Sequence, residues 1–139
     1  MNYTNWPYAQ YAKADAAVRA TRYKEALTNY EAVLAIDPTA DRSRAIAVGC
    51  AIQIGDMSKA QQLNTNYALK GGRWQRWANG KMMLATNGIQ QGTEEFVSIT
   101  KKYPTFPAAA WISPGNDILG QIDWPLYSKL MQTTNANTK

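Results

Sequence analysis

The chain has 139 residues, 45% of them hydrophobic and 18% charged, which suits one compact core and argues against two. Fifteen Lys and Arg against ten Asp and Glu give a net charge of +5, a moderate excess without the block charge of a nucleic-acid-binding tail. Histidine is absent and Cys50 is the only cysteine, so His-based acid–base work, His or multi-Cys metal sites and intrachain disulfides are excluded.

In chain order, Asn5 ahead of Trp6 and Pro7 reads as an N-cap with proline in the first turn, and a first helix is expected over about residues 6–20. A second helix follows from Tyr23 and stops at Asp37-Pro38. Thr39 or Asp41 is the expected cap of a third helix that reaches about Ile54, before a Gly55-Asp56 turn. The stretch MSKAQQLNTNYALKGG, residues 57–72, reads as a fourth helix ended by Lys70-Gly71-Gly72. Helices over about 73–86 and 90–102 flank an Asn87-Gly88 turn. After Pro104, prolines at 107, 113 and 125 divide short apolar segments into two or three short helices. The last of these starts at Asp123-Trp124-Pro125, repeats the Asn5-Trp6-Pro7 arrangement, and runs to about Gln132; the polar tail 133–139 is expected to fray.

A period organises these helices. Shifting YKEALTNYEAVLAIDP (23–38) by 34 residues puts Met57 under Tyr23, Ala60 under Ala26, Asn64 under Tyr30, Tyr67 under Val33 and Gly72 under Pro38. A further step of about 32 residues brings Ile89, Gly92, Phe96, Ile99 and Pro104 into the same columns. The preceding helices align too, with Ala14, Val48 and Gly80 in one column and Ala17, Ala51 and Met83 in another. Small residues there let helices approach closely.

The order of small and large residues in this period resembles the tetratricopeptide repeat (TPR) family, most clearly over 23–38. The resemblance implies an all-α, TPR-like solenoid of three helix-turn-helix repeats with a short helical C-terminal cap. The repeats cover about 7–38, 41–72 and 73–104 of a single domain, with the cap over 105–132. Ile118, Leu119, Ile122, Leu126 and Leu130 are suited to covering the last apolar face, or alternatively to holding a partner. A shorter stretch, FVSITKKYPTFPAAAW (96–111), resembles the segments between repeats in bacterial periplasmic TPR proteins of the TolA-binding and outer-membrane assembly type. It points toward a bacterial envelope protein and assigns no ligand.

Catalytic constellations are lacking. Glu94 and Glu95 are adjacent on a helix and point about 100° apart, which suits a solvated face better than a paired acid and base. Cys50 lies among Val48, Ala51 and Ile52, where a buried thiol acts as a small hydrophobe. Gly80-Lys81 has no upstream glycine of a phosphate loop, and Asn2-Tyr3-Thr4 fits a glycosylation acceptor only as a short chance pattern. The expectation is a non-catalytic protein without cofactor or metal.

Recognition is the class the resemblance implies, since in that family the first helix of each pair lines a concave groove. Carried over, the groove takes Tyr8, Tyr11, Asp15, Val18 and Arg19 from the first repeat and Arg42, Ala45, Gly49, Ile52 and Gln53 from the second. The third supplies Trp74, Trp77, Lys81, Leu84 and Ala85. Tyr8, Tyr11, Asp15, Arg19, Arg42, Gln53, Trp74, Trp77 and Lys81 are the candidate partner contacts, combining aromatic area with planar cations. Tyr11 and Asp15 stand where the chaperone-tail clamp of some relatives uses Lys and Asn, so binding of acidic chaperone tails is not expected.

The stretch KGGRWQRWANGK (70–81) leaves alternatives open: tryptophans packed between repeats with solvated cations, a protein or peptide partner, or a nucleic-acid or lipid surface. No longer basic tract supports the nucleic-acid case. The expected function is a protein–protein interaction adaptor holding a peptide or partner segment. The alternative is an accessory subunit of a larger assembly or homo-oligomer that uses aromatic surfaces at its ends, Tyr3, Trp6, Tyr8, Trp111, Trp124 and Tyr127. No apolar run reaches the roughly 18 residues needed to span a bilayer, and the start lacks a signal-peptide pattern. A soluble chain is expected, cytoplasmic if Met1 is native and periplasmic or secreted if the chain is a processed form.

Overall fold

The computed structural model describes residues 6–106 and 122–137, with side-chain surroundings over 8–106 and 122–133. The expected Asn5 cap, the 2–4 acceptor, Tyr3, Trp111, Ile118, Leu119 and the short helices expected between 107 and 121 lie outside the described residues. All regular structure among the described residues is helical: α1 (Trp6–Arg19), α2 (Tyr23–Ile36), α3 (Asp41–Gln53), α4 (Met57–Leu63), α5 (Arg73–Thr86), α6 (Ile89–Lys102) and α7 (Trp124–Asn137). The fold is thus all-α and of the helical-repeat type.

The helix boundaries carry the period seen in the sequence. Tyr23, Met57 and Ile89, the first column of the alignment, begin α2, α4 and α6. Ahead of them, the turn closes in the same way three times. Arg22 N–H donates to the Ala17 carbonyl at 2.8 Å, Asp56 N–H to Ala51 at 2.9 Å and Gly88 N–H to Met83 at 3.1 Å. The acceptors Ala17, Ala51 and Met83 are one aligned column of the preceding helices, so the shortened third step is real in the backbone. These bonds satisfy orphan carbonyls at the helix ends; in the third turn the left-handed residue is the donor Gly88 itself, at φ 102°, and in the first two it lies between acceptor and donor. That residue is Gly55 at φ 82° in the second turn, but Thr21 at φ 60° in the first.

Contacts divide the chain into two compact units, Met1–Ala78 and Asn79–Lys139, with the division inside α5. In the first unit, α1 packs on α2, α2 on α3 and α3 on α4. The middle helix α3 is enclosed: residues 45–51 are buried without interruption. Its alanines and Gly49 permit that enclosure because they add little bulk between two flanking helices. Ala14, Ala17, Ala26, Leu27, Tyr30, Val33, Ala60 and Leu63 complete the core.

The fourth helix departs from the sequence reading. Residues 57–72 do not form one helix; α4 stops at Leu63, and Asn66 takes a left-handed conformation at φ 61°. Asn64, Thr65 and Asn66 are poor helix formers because their side chains bond locally, as Thr65 Oγ1 does to the Gln62 carbonyl at 2.8 Å. Tyr67 nevertheless reaches the core from the turn. The Asp41 carboxylate holds the turn, accepting Ala68 N–H at 2.8 Å and Leu69 N–H at 2.9 Å. Asp41 therefore does not cap α3, nor does Thr39; Ala40 stands at the cap without a side-chain bond, and Asp37 Oδ1 instead accepts Thr39 N–H and Oγ1–H.

In the second unit, α7 packs on α6. Asp123 caps α7 by accepting Leu126 N–H at 3.0 Å, and its own N–H donates to Thr93 Oγ1 at 3.1 Å. Thr100 and Tyr127 hydroxyls lie 2.9 Å apart, and Lys101 Nζ donates to the Leu130 carbonyl at 2.8 Å. The helix continues to Asn137, so most of the tail expected to fray is helical. Phe96, Val97, Ile99, Phe106 and Ile122 form this unit's core.

Candidate functional site

The first unit brings six of the sequence-predicted residues together, Tyr8, Tyr11, Asp15, Arg42, Trp74 and Trp77. Asp15, on α1, is buried, and its carboxylate takes both prongs of the Arg42 guanidinium from α3: Nη1 to Oδ1 at 3.2 Å and Nη2 to Oδ2 at 3.1 Å. A planar fork on a carboxylate fixes orientation as well as distance. The Tyr30 hydroxyl on α2 donates to the same Asp15 Oδ1. One carboxylate thus joins three consecutive helices.

Held there, Arg42 lies over the Tyr11 ring at 4.5 Å and faces the Trp74 ring at 5.9 Å, both within the range of cation–π attraction. Tyr8 stacks on Tyr11 with centroids 6.4 Å apart and planes 7° from parallel, and Trp74 meets Trp77 edge to face at 6.1 Å. Tyr8 is 73% exposed, whereas Tyr11, Arg42 and Trp74 are half-buried. The spacing that creates this row is simple: Tyr8, Tyr11 and Asp15 are three and four residues apart on α1 and share one face.

Burial shifts the phenols. Tyr30 is pushed well above its ordinary pKa by burial first and by the Asp15 charge second. Tyr11 is raised by burial, which the nearby Arg42 charge partly opposes. Both phenols are protonated at physiological pH, and Tyr30 donates to Asp15.

Other predicted contacts fall elsewhere. Trp77 and Lys81 are 0% and 2% exposed, so they are corrected from partner contacts to interior residues: their turn of α5 faces inward. Asp15 is likewise interior and acts through Arg42. Arg19 and Gln53 are exposed at the last positions of α1 and α3. Gln53 lies about 16 Å along α3 from Arg42, and Arg19 about 12 Å along α1 from Tyr11, so neither joins the row. Tyr30 was missed because its column reads as core; the usable signal was that a buried tyrosine hydroxyl needs a partner. Gln10 was also missed: its amide donates to Asn29 Oδ1 at 2.8 Å, a second polar tie between α1 and α2.

In the second unit a cavity of about 610 Å³ lies against α6 and α7, lined by Glu94, Val97, Ser98, Lys101, Lys102 and Leu130. Lys101 is committed to the Leu130 carbonyl, and the lining offers no converging polar set of the kind that fixes a small ligand. Among the described residues no three His, Cys, Asp or Glu side chains could share a metal ion, and no helix is long and apolar enough to cross a membrane.

The enclosed α3, the thrice-repeated turn and the small-residue columns are features of one repeat architecture. Residues 17–81 match a tetratricopeptide repeat family model. The match supports a TPR family, covers α2 to α4 whole, and includes the turn where α4 ends early. Tetratricopeptide repeats generally mediate protein–protein interaction, which makes proteins the natural class of partner. No curated protein and no solved structure matches the chain.

Proposed function

We propose that this protein is a non-catalytic interaction adaptor, and that the row Tyr8, Tyr11, Arg42 and Trp74 holds a peptide or partner segment. The observation that carries the reading is the row itself: three aromatic rings and a guanidinium in series, with Tyr8 fully presented and the others half-exposed. Such groups offer large contact area at small entropic cost, and their positions are fixed before a partner arrives. The Asp15 and Tyr30 bonds supply that fixing.

The test is capture from native lysate by the intact chain beside a Tyr8→Ala/Trp74→Ala variant matched in helicity. A partner held by the intact chain and lost by the variant is the expected result. A partner held equally by both rules out this face.

A second reading, an accessory subunit of a larger assembly, draws on Leu69 and Ile36, which are 66% and 44% exposed. Leu69 N–H is bonded to Asp41 at the start of α3, and Ile36 is the last residue of α2. On this reading the resemblance of 96–111 to envelope-type TPR segments supports a bacterial envelope assembly. Light scattering over a concentration series separates the readings, since self-assembly raises the apparent mass and a monomeric adaptor does not.

A further inference from the structure

The chain contains two Asn-Gly pairs, Asn79-Gly80 and Asn87-Gly88, and the fold treats them in opposite ways. An asparagine followed by glycine can close on itself, because no side chain hinders the glycine nitrogen as it approaches the amide carbon. Closure then depends on freedom of the backbone, on room around the glycine and on the state of the amide.

The first pair lies inside α5. There each backbone N–H is tied to the carbonyl four residues earlier, and ring closure would break the helix. Asn79 is half-buried and Gly80 buried, and a Cβ added to Gly80 would stand 2.9 Å from the Phe96 ring. The second pair lies in the turn between α5 and α6, with both residues exposed. A Cβ added to Gly88 would meet nothing within 4 Å. The Gly88 N–H is also lightly held: it shares the Met83 carbonyl, at 3.1 Å, with the Asn87 N–H at 2.7 Å. Releasing it leaves that carbonyl satisfied.

The Asn87 amide is primed as well. The Thr86 hydroxyl stands 2.7 Å from Asn87 Oδ1 and 2.8 Å from the Met82 carbonyl, and with a single proton it serves one acceptor at a time. When it donates to Oδ1 it draws charge from the amide carbon and stabilises the oxygen that becomes negative on attack.

We propose that Asn87 is a site of spontaneous covalent modification, at which attack by the Gly88 nitrogen converts the asparagine to aspartate or isoaspartate. A bond forms between Gly88 N and Asn87 Cγ, the Cγ–Nδ2 bond breaks, and the Gly88 N–H proton leaves with Nδ2 as ammonia. Water then opens the cyclic imide. Cleavage of its Cγ–N bond gives aspartate; cleavage of its bond to the backbone carbonyl carbon gives isoaspartate, whose main chain runs through Cβ and Cγ. Neither route changes an oxidation state. Thr86 is a positioning residue for the attack.

The two products differ in consequence. An aspartate at this point lies between the end of α5 and the start of α6, where the two helix dipoles act on its charge in opposite senses, so the turn tolerates it. Isoaspartate inserts a methylene into the main chain ahead of Gly88, the N-cap of α6, and draws its N–H off the Met83 carbonyl. The bond lost is the one that closes the turn of the third repeat. Either product lowers the net charge of +5 by one.

The experiment incubates the full chain in mildly alkaline buffer made with heavy-oxygen water. Cleavage after Lys81 then puts Asn79 and Asn87 on separate peptides for mass spectrometry. In the folded chain Asn87 should convert about tenfold faster than Asn79, which reacts only when its helix opens, and should take up one heavy oxygen. In urea the two rates should converge. Thr86→Val should slow conversion at Asn87 about threefold and Thr86→Ser should restore it, with helicity and the rate at Asn79 unchanged. The isoaspartate fraction should unfold at a lower temperature than an Asn87→Asp variant. Conversion of Asn79 as fast as Asn87 in the folded chain, or an intact Asn87 after a time that fully converts the unfolded chain, overturns the proposal. A Thr86→Val rate equal to that of the intact chain overturns the part given to Thr86, and equal unfolding temperatures overturn the loosening of the turn.

Discussion

Asp15 is a junction at which three helices share one carboxylate, and its neighbours are unequal in what they would lose without it. Arg42 has a side chain only 23% exposed, so removing its partner leaves a partly desolvated cation. Tyr30 is fully buried and would keep an unsatisfied hydroxyl. Asp15→Ala is therefore expected to cost about 3 kcal/mol in urea unfolding. Tyr30→Phe should cost only about 1 kcal/mol, because the Arg42 fork survives. A larger loss for Tyr30→Phe than for Asp15→Ala would show that the fork is not the stabilising element. Thr21 is the opposite case, a β-branched residue held at φ 60° where the next repeat has Gly55 at φ 82°. Its hydroxyl bonds only the adjacent Ala20 carbonyl, so little is lost with the side chain. Thr21→Gly should raise stability by about 1 kcal/mol, the left-handed penalty outweighing glycine's added freedom in the unfolded chain. A lowered thermal midpoint would contradict this.

At the scale of the element, the columns of small residues were legible because they are demanded by geometry that repeats. Ala17, Ala51 and Met83 fall at the repeat spacing, and each accepts the bond that closes its turn. The early end of α4 was not legible from the columns, since Tyr67 still fills the core position that the alignment assigns to it. Local chemistry overruled the period there: Asn64, Thr65 and Asn66 favour turn bonds, and the Asp41 carboxylate rewards a bent backbone at 68 and 69. The candidate site was legible as a face but not as a network. Asp15 and Arg42 are 27 residues apart, and no local rule pairs them. Trp77 and Lys81 were read outward because the third repeat's helix face had no fixed rotation in the sequence. The two glycines of the third repeat, Gly80 and Gly92, are sharper. At Gly92 an added Cβ would lie 2.3 Å from Leu84 Cδ2 and 3.0 Å from the Leu84 Cα, so the obstacle includes backbone. At Gly80 it would meet only the edge of the Phe96 ring, at 2.9 Å. Gly92→Ala is expected to destabilise by about 2–3 kcal/mol and Gly80→Ala by less, as overpacking against a fixed helix costs more than displacing a ring. Equal thermal shifts for the two would mean that α6 can move away from Leu84.

For the whole molecule, the placement of its buried phenols sets how it responds to alkali. Tyr30 and Tyr67 both belong to the unit Met1–Ala78, and both are raised above the ordinary tyrosine pKa, in each case chiefly by burial. For Tyr30 the Asp15 charge adds to the shift, while for Tyr67 the Arg44 guanidinium opposes it. Below about pH 10 these phenols are protonated whether the chain is folded or unfolded, and they make no difference to stability. Above that pH the unfolded chain releases their protons while the folded chain retains them, so the unfolded state binds fewer protons and stability falls as pH rises. The first unit should then lose its structure in alkali at a pH where free phenols are already ionised. Absorbance at 295 nm should show Tyr30 and Tyr67, and to a smaller degree Tyr11, ionising after the exposed phenols, together with the loss of helical circular dichroism. The urea midpoint should fall steadily from about pH 10 upward. Tyr30→Phe should remove part of that slope, because it removes a group whose proton affinity differs between the two states. If all eight phenols titrated in one step near pH 10 with helicity intact, Tyr30 and Tyr67 would have to be solvated, and the core built around α3 would be wrong.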